Sequence, residues 1–488
     1  MKSSIKMNKF LLSFILSFAS VLTAAAAQPF LKLPSIIGDH MVLQEKSEVI
    51  IYGWCDPNTT VSVETSWGQT ATAKSAYDAR WSVVISTPEA TYEPMQIMVT
   101  TGKKVSLTIK DILIGQVWLC SGQSNMSRSV DHGVVDMKAE LTDTMPQQLR
   151  LFSVTKCASP YKQNDVDGEW VVCNKKDAYW FSSVGYYFGK FLNEGIDQPV
   201  GLINASWGGS PIEVWTSKDV MGKREDMVAS WQSLSFSKRK GWDIGAVYNA
   251  MIWPIKDVTL GGVIWYQGES NKENAYTYAD ALTMMINQWR CDFRNDSLPF
   301  YYVQIAPHSL DGRGVKNAYV REAQEKVWKT VNNVGMVCIS DQVDDVTDIH
   351  PCRKLEVGRR LALMALGQTY GKKEFKYNCP TFKSVEYNKG KAIVSFNDVE
   401  GGIICKGTDV VGLEIAGEDL GFVPAKGKID SKTNTLVVWA KEVPNPKDVR
   451  YCFSDGAIGN LFDVTGLPVA PFRTDVIPFH SIETQMSK

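Results

Sequence analysis

The chain has 488 residues, 44% of them hydrophobic and 22% charged, with 52 basic against 53 acidic side chains. This composition excludes a disordered or collagen-like polymer, and at roughly 100–200 residues per domain the length suits two to four domains. A net charge of -1 offers no broad basic surface, which argues against general nucleic-acid binding and leaves partners to be recognised locally.

Lys2, Lys6 and Lys9 precede an apolar run over residues 10–23 and the small residues Ala25, Ala26 and Ala27. This is the pattern of a secretory signal over residues 1–27, with a mature chain expected from Gln28. The apolar run is shorter than the roughly 20 residues a membrane span needs, so no stable membrane insertion is expected after cleavage. The expected destination is periplasmic or extracellular. All ten cysteines fall after this segment, where disulfides persist, and some pairing is expected. No C-x-x-C or H-E-x-x-H occurs, so the sequence carries neither a zinc ribbon nor a zincin site and no metal ligands are assigned.

Residues 28–105 read as a β-rich N-terminal domain, a small β-sandwich, with strands expected over 49–54, 61–65, 81–85 and 95–99 between turn residues. From 106 to 375 the pattern changes to short apolar runs at 112–119, 200–205, 262–267, 300–305 and 334–340, separated by helical periodicity. A helix is expected over residues 181–194 with Gly195 as its stop, a second around Leu282, Met285, Ile286 and Trp289, and a third starting near Arg353. Such alternation predicts an α/β domain with a parallel sheet. Strands return over 391–396 and 435–440, within a C-terminal β domain spanning 376–488.

Open parallel sheets hold their active sites beyond the carboxyl ends of the strands, so the polar residues after each apolar run matter most. These are Ser121-Gly122-Gln123-Ser124-Asn125, Ser206-Trp207-Gly208-Gly209-Ser210, Gln267-Gly268-Glu269-Ser270-Asn271 and the segment from Asp341 to His350. Ser124 sits where a strand-to-helix turn would expose a nucleophilic hydroxyl. Of the five histidines (40, 132, 308, 350 and 480), His350 follows the last strand in an acidic loop suited to orienting an imidazole. Asp348 is its nearest carboxylate, with Asp345 and Asp341 as alternatives. Gly208 and Gly209 permit close backbone approach, and Gln267 or Asn271 offers a side-chain amide. A carboxylate beside His350 would raise its pKa, predicting a rate that climbs through neutral pH.

The blocks 115–126 (GQVWLCSGQSNM), 265–271 (WYQGESN) and 348–351 (DIHP) together resemble the sialate O-acetylesterase family of SGNH-type hydrolases. The resemblance extends to residues 38–44 and to 466–475, and so spans most of the mature chain. It implies a flavodoxin-like three-layer α/β/α SGNH hydrolase core with flanking β-sandwich domains, acting as a serine esterase without a cofactor. It makes Ser124 the nucleophile, His350 the base and Asp348 its partner. The Ser124 and Gly208 or Gly209 amides with Gln267 then form the oxyanion hole, and Asn125, Glu269, Asn271 and Trp207 are assigned to substrate. The sequence departs from the usual pattern at Thr347, where an Asp is common, and at Gln267 or Asn271, where an Asn usually stands. The implied substrate is an O-acetylated sialic acid; acetylated xylan or another acetylated glycan is the alternative, and a non-catalytic carbohydrate-binding protein the alternative of a different class. Trp207, Trp215 and Trp265 adjoin the motifs and could pack on a sugar ring.

Overall fold

The computed structural model describes residues 30–102, 105–312, 314–399 and 401–479, so the expected signal segment and His480 lie outside the described residues. The strands of the α/β region are β1 (Ser106–Gly122), β2 (Leu149–Ser153), β3 (Trp170–Val172), β4 (Val200–Ser206), β5 (Gly262–Tyr266), β6 (Phe300–Val303) and β7 (Val334–Val337). The first half of β1 pairs antiparallel with Thr91–Thr101, and its second half pairs in parallel with β4 and β5. Burial follows this change: before Asp111 most residues are exposed, whereas every residue from 112 to 122 is buried. A strand covered on both faces is apolar throughout, whereas one with a solvated face alternates. The boundary expected at residue 105 thus opens onto a strand that runs unbroken from one module into the next.

The sheet order is β3-β2-β4-β1-β5-β6-β7, parallel except at the edge strand β3. The chain runs from β1 to β2 and β3 at one edge, returns to place β4 between β2 and β1, and then builds β5, β6 and β7 on the other side of β1. The winding therefore reverses between β1 and β5, the place where such sheets open a crevice.

Four helices cover the sheet: α1 (Ser183–Ile196), α2 (Tyr278–Asp292), α3 (Lys316–Thr330) and α4 (Leu355–Met364). Side chains alternate across a strand, so Val117, Leu119, Val263 and Trp265 pack with α2 and α3, while Trp118, Cys120, Ile264 and Tyr266 pack with α1 and α4. The first of these cores also contains Val49, Ile51, Val61, Val63, Val83 and Ile85 from the N-terminal strands. A separate core built on Val394, Ile415, Leu436 and Val449 holds the C-terminal strands together. That module docks on α3, where Arg321 donates to Ser454 O and Asp455 O, and Arg473 pairs with Glu322.

One expectation needs correction, and one helix was not expected. The α1 helix does not stop at Gly195. Ser182 caps its start by accepting from Gly185 N–H, and the left-handed residue at its end is Asp197. Gly195 lies inside the helix, where a Cβ would stand 2.5 Å from Leu366, so its smallness serves packing against the chain after α4. The α3 helix was not legible at all, because its inward face carries Arg321, Gln324 and Glu325 in addition to apolar residues.

Gly122 ends β1 at φ +136°, where an added Cβ would meet the Tyr266 carbonyl oxygen at 2.2 Å. Gly133 also has positive φ, +82°, but nothing stands near its missing side chain. We therefore expect Gly133→Ala to cost about 1 kcal/mol, and Gly122→Ala more than about 3 kcal/mol because backbone strain and a rigid clash add. Comparing the thermal unfolding of the two variants checks this: equal midpoints would contradict the close approach of β1 and β5.

Candidate active site

Three strand ends are stitched together beneath Ser124. Gln123 N–H donates to Tyr266 O at 2.9 Å, joining β1 to β5, and Trp207 N–H donates to Gly122 O at 2.9 Å, joining the end of β4 to β1. Ser270 N–H reaches the Gln123 side chain at 3.3 Å. Ser124 then opens the one-turn helix Ser124–Ser127, whose first N–H groups have no acceptor within the helix. The chain at Gly208 passes so close that a Cβ there would touch Ser124 Cβ at 3.3 Å. Its neighbour Gly209 is left-handed, at φ +68°, and Lys240 donates to Gly208 O. Backbone from two strand ends thus surrounds one partly exposed serine.

His350 comes from the loop after β7. Its Nε2 lies 2.9 Å from Ser124 Oγ, so that with the proton on Nδ1 the serine hydroxyl donates to Nε2. The loop is held at several points: Ser309 N–H binds Val346 O at 2.8 Å, Asn125 Nδ2 binds Ile349 O at 3.0 Å, and the Asp136 carboxylate accepts the Lys354 and Leu355 N–H groups at 2.6 Å each, capping α4.

Asp348 does something different from orienting the imidazole directly. Its Oδ1 accepts the His350 backbone N–H at 2.8 Å and stands 3.8 Å from Nδ1, beyond hydrogen-bond range. The alternatives are committed elsewhere: Asp341 forms two 2.7 Å contacts with Arg360, and Asp345 accepts from Thr347 N–H and hydroxyl at 2.8 and 2.7 Å.

The amide donors also sit differently from expectation. Gln267 is fully buried, and its Nε2 donates to Ser210 O at 3.1 Å and Asn271 Oδ1 at 2.8 Å, which uses both of its hydrogens. Asn271 is engaged with Ile212 N–H and the buried Glu213 carboxylate. Neither side chain is free to address an oxyanion or a substrate. Asn125 and Glu269 are likewise buried and bonded to each other at 2.5 Å. Trp215 and Trp265 are fully buried and meet edge to face. Trp207 stays partly exposed, its ring set against Trp242 at 4.6 Å.

Sequence reasoning missed Lys354. Its ammonium is fully buried and donates to Asn125 Oδ1 at 2.8 Å, completing a chain Lys354–Asn125–Glu269 in which Asn125 also grips the peptide next to His350. Burial lowers the Lys354 pKa to about 7, against the pull of Glu269. Burial raises that of Glu269, opposed by backbone and Asn125 hydrogen bonds and by Lys354. A lysine four residues after the histidine is the one trace of this network in the sequence. Arg128 was missed as well. Burial is the main cause that lowers the His350 pKa to about 4; Arg128, Lys354 and His308 add to it, and only Asp348 opposes. The rise through neutral pH expected from a carboxylate partner is therefore replaced by a limb on the acid side.

Among the described residues no group of three His, Cys, Asp or Glu side chains is placed to hold a metal, and no helix is long and apolar enough to cross a membrane. A cleft of about 520 Å³ lined by Tyr52, Trp54, Arg80, Trp253 and Arg294 lies toward the amino end of β5, away from Ser124.

Residues 114–366 match the family described as carbohydrate esterase, sialic acid-specific acetylesterase, a span that contains Ser124, Glu269, His350 and Lys354. The chain belongs to that family. This makes the protein a carboxylic ester hydrolase. It is 30% identical to human sialate O-acetylesterase over 401 residues, covering 75% of this chain and 76% of that one. The rat sialate O-acetylesterase is 29% identical over 415 residues, covering 73% and 76%. The crystal structure of a carbohydrate acetylesterase from Xanthomonas citri is 33% identical with a TM-score of 0.82, covering 92% of this chain and all of that one.

Two predictions follow for the esterase. Asp348→Asn keeps an acceptor for the His350 N–H and should lower kcat by less than about tenfold, against ~10⁴ for an Asp that holds its imidazole directly. Lys354→Met, which releases the Asn125 clamp on Ile349, should cost about 10²-fold in kcat with little change in KM. Parallel kinetics on an aryl acetate decide between them, and the reverse order would return Asp348 to the role of orienting acid.

To accept a proton from Ser124, His350 must be neutral, and its neutral fraction grows as pH rises through about 4. kcat/KM should therefore climb between about pH 3 and 5 and be flat from about pH 6. Replacing Arg128 by Gln removes a repelling charge and should move the limb upward. Burial brings Lys354 down to about 7, where His350 is already neutral, so a wild-type limb at neutral pH that disappears in Lys354→Met would report the lysine instead.

Proposed function

We propose that the protein removes O-acetyl groups from sialic acids by an acyl-enzyme mechanism run by Ser124 and His350. The observation that carries this reading is the 2.9 Å contact between Ser124 Oγ and His350 Nε2 at the point where the sheet reverses its winding. The relatives named sialate O-acetylesterase support the substrate class. The strand order β4-β1-β5-β6-β7 and the helices on both faces support a flavodoxin-like SGNH hydrolase core, with β-sandwich modules at its flanks.

In this mechanism His350 Nε2 takes the Ser124 proton as Oγ attacks the acetyl carbonyl carbon. The carbonyl oxygen becomes an oxyanion facing the Ser124 and Gly208 N–H groups, since the Gln267 amide is spent inside the protein. As the C–O bond to the sugar breaks, His350 gives the proton to the departing sugar hydroxyl. Water then attacks the acetyl-serine, with His350 again taking and returning a proton, and acetate leaves. The partial exposure of Trp207 beside Gly208 supports a role for its ring against the sugar.

A wider glycan specificity is the second reading, favoured by the Xanthomonas citri relative described as a carbohydrate acetylesterase. Acetate release from O-acetylated sialic acids, acetylated xylan and an aryl acetate separates the two. We expect kcat/KM on the sialic acid to exceed that on xylan by at least about tenfold, and Ser124→Ala to lose about 10³-fold or more on every substrate. Preference for xylan would shift the reading to a general glycan esterase, and an active, folded Ser124→Ala would remove the nucleophile.

A further inference from the structure

Cys338 and Cys379 stand outside the machinery described so far. Cys338 follows directly on β7, at the head of the chain that leads to His350. Cys379 lies just before Thr381–Asn388, the first strand of the C-terminal module. Both are buried, at 1% and 2% exposure, and their sulfurs are 3.0 Å apart. Two thiols resting against each other keep a wider spacing than that, while the covalent distance is ~2.05 Å. The other polar contact of Cys338 Sγ is Gln304 Oε1 at 3.5 Å, a weak partner. Among the described residues no other two cysteine sulfurs come within contact, although Cys55, Cys120, Cys173 and Cys452 are also buried.

We propose that Cys338 and Cys379 form a disulfide in the mature protein. The bond would close a loop that contains His350, Lys354 and the whole of α4, tying the start of the catalytic loop to the entrance of the C-terminal module. The reaction is thiol–disulfide exchange with an external small-molecule or protein disulfide. One cysteine thiolate attacks a sulfur of that disulfide and expels a thiolate; the second cysteine thiolate then attacks the mixed disulfide and expels the other. Two S–H bonds are lost, one S–S bond forms, and the two electrons and two protons leave on the external pair as two thiols. Buried thiols are slow to ionise, so the exchange takes place while the chain folds, before the pair is enclosed. Cross-linking restricts the unfolded chain more as the closed loop lengthens, and this loop is long enough for the effect on thermal inactivation to be measurable.

The test refolds the full mature chain in a reduced and oxidised glutathione buffer. The product is denatured without reductant, alkylated with iodoacetamide, digested and weighed. Expected is a Cys338–Cys379 linked peptide two hydrogens lighter than its parts, and alkylation at both positions roughly tenfold below that of the exposed Cys157. Reduction before alkylation should restore both signals. Full alkylation of both cysteines without reductant would overturn the proposal, as would a glutathione adduct at either or a link to a different cysteine. As a second measurement, reductant should hasten thermal inactivation of the wild type and leave a Cys379→Ala protein unaffected; equal sensitivity of the two would also overturn it. Peptide mapping needs no activity, so its result is independent of the sugar the enzyme prefers.

Discussion

The close backbone approach at the carboxyl ends of β1, β4 and β5 is the constraint on which the rest of the site depends. Gly122 leaves room for the Tyr266 carbonyl, Gln123 and Trp207 bind across the gap, and Gly208 passes against Ser124. A side chain at Gly122 would have to push strand ends apart in a sheet buried on both faces, and one at Gly208 would press on Ser124. Ser124 is therefore presented by parts that have little freedom to move, as the proposed nucleophilic role would require.

The histidine is held by different means. It arrives on a loop, and a loop gains precision only from anchors. The anchors are Asp348 on its backbone, Asn125 on the preceding carbonyl, Asp136 on the helix that follows, and Lys354 on Asn125 from below. Burying Lys354 and Glu269 is unfavourable for each alone, and the chain of hydrogen bonds through Asn125 offsets that cost. Burial first, and then the positive charges nearby, keep the His350 imidazole neutral. A base that is already neutral gains less from a carboxylate beside it, in keeping with Asp348 serving the backbone first.

Much of this was legible because it depends on local chemistry. Ser124 was identified from the turn after an apolar strand, and His350 from the loop after the last one. Gly122 and Gly208 adjoin the motifs that drew attention to them. The oxyanion donors show where local reading runs out. Gln267 has the right chemistry and follows the right strand, but its amide points into a buried cluster with Ser210, Asn271 and Tyr278. Alternation along one strand cannot tell which polar neighbour another element will supply. The α3 helix was missed for a related reason: Gln324 lies on its inner face because it satisfies the Gln267 and Val303 carbonyls and Ile305 N–H, a role that hydrophobic periodicity cannot reveal.

By itself the sequence pointed to the strand and helix alternation and to Ser124 and His350 as candidates, through residue type and short-range spacing, and to the esterase class through the resemblance of its ordered motif blocks to a known family. The tertiary structure decided which carboxylate touches what, which amides are already spent, and where charge surrounds the imidazole. Those depend on contacts between residues far apart in the chain, such as Ser124 with His350, Asn125 with Lys354 and Cys338 with Cys379. Such pairs are set by how layers pack, and packing distances are not encoded in the spacing of residues along one strand or helix.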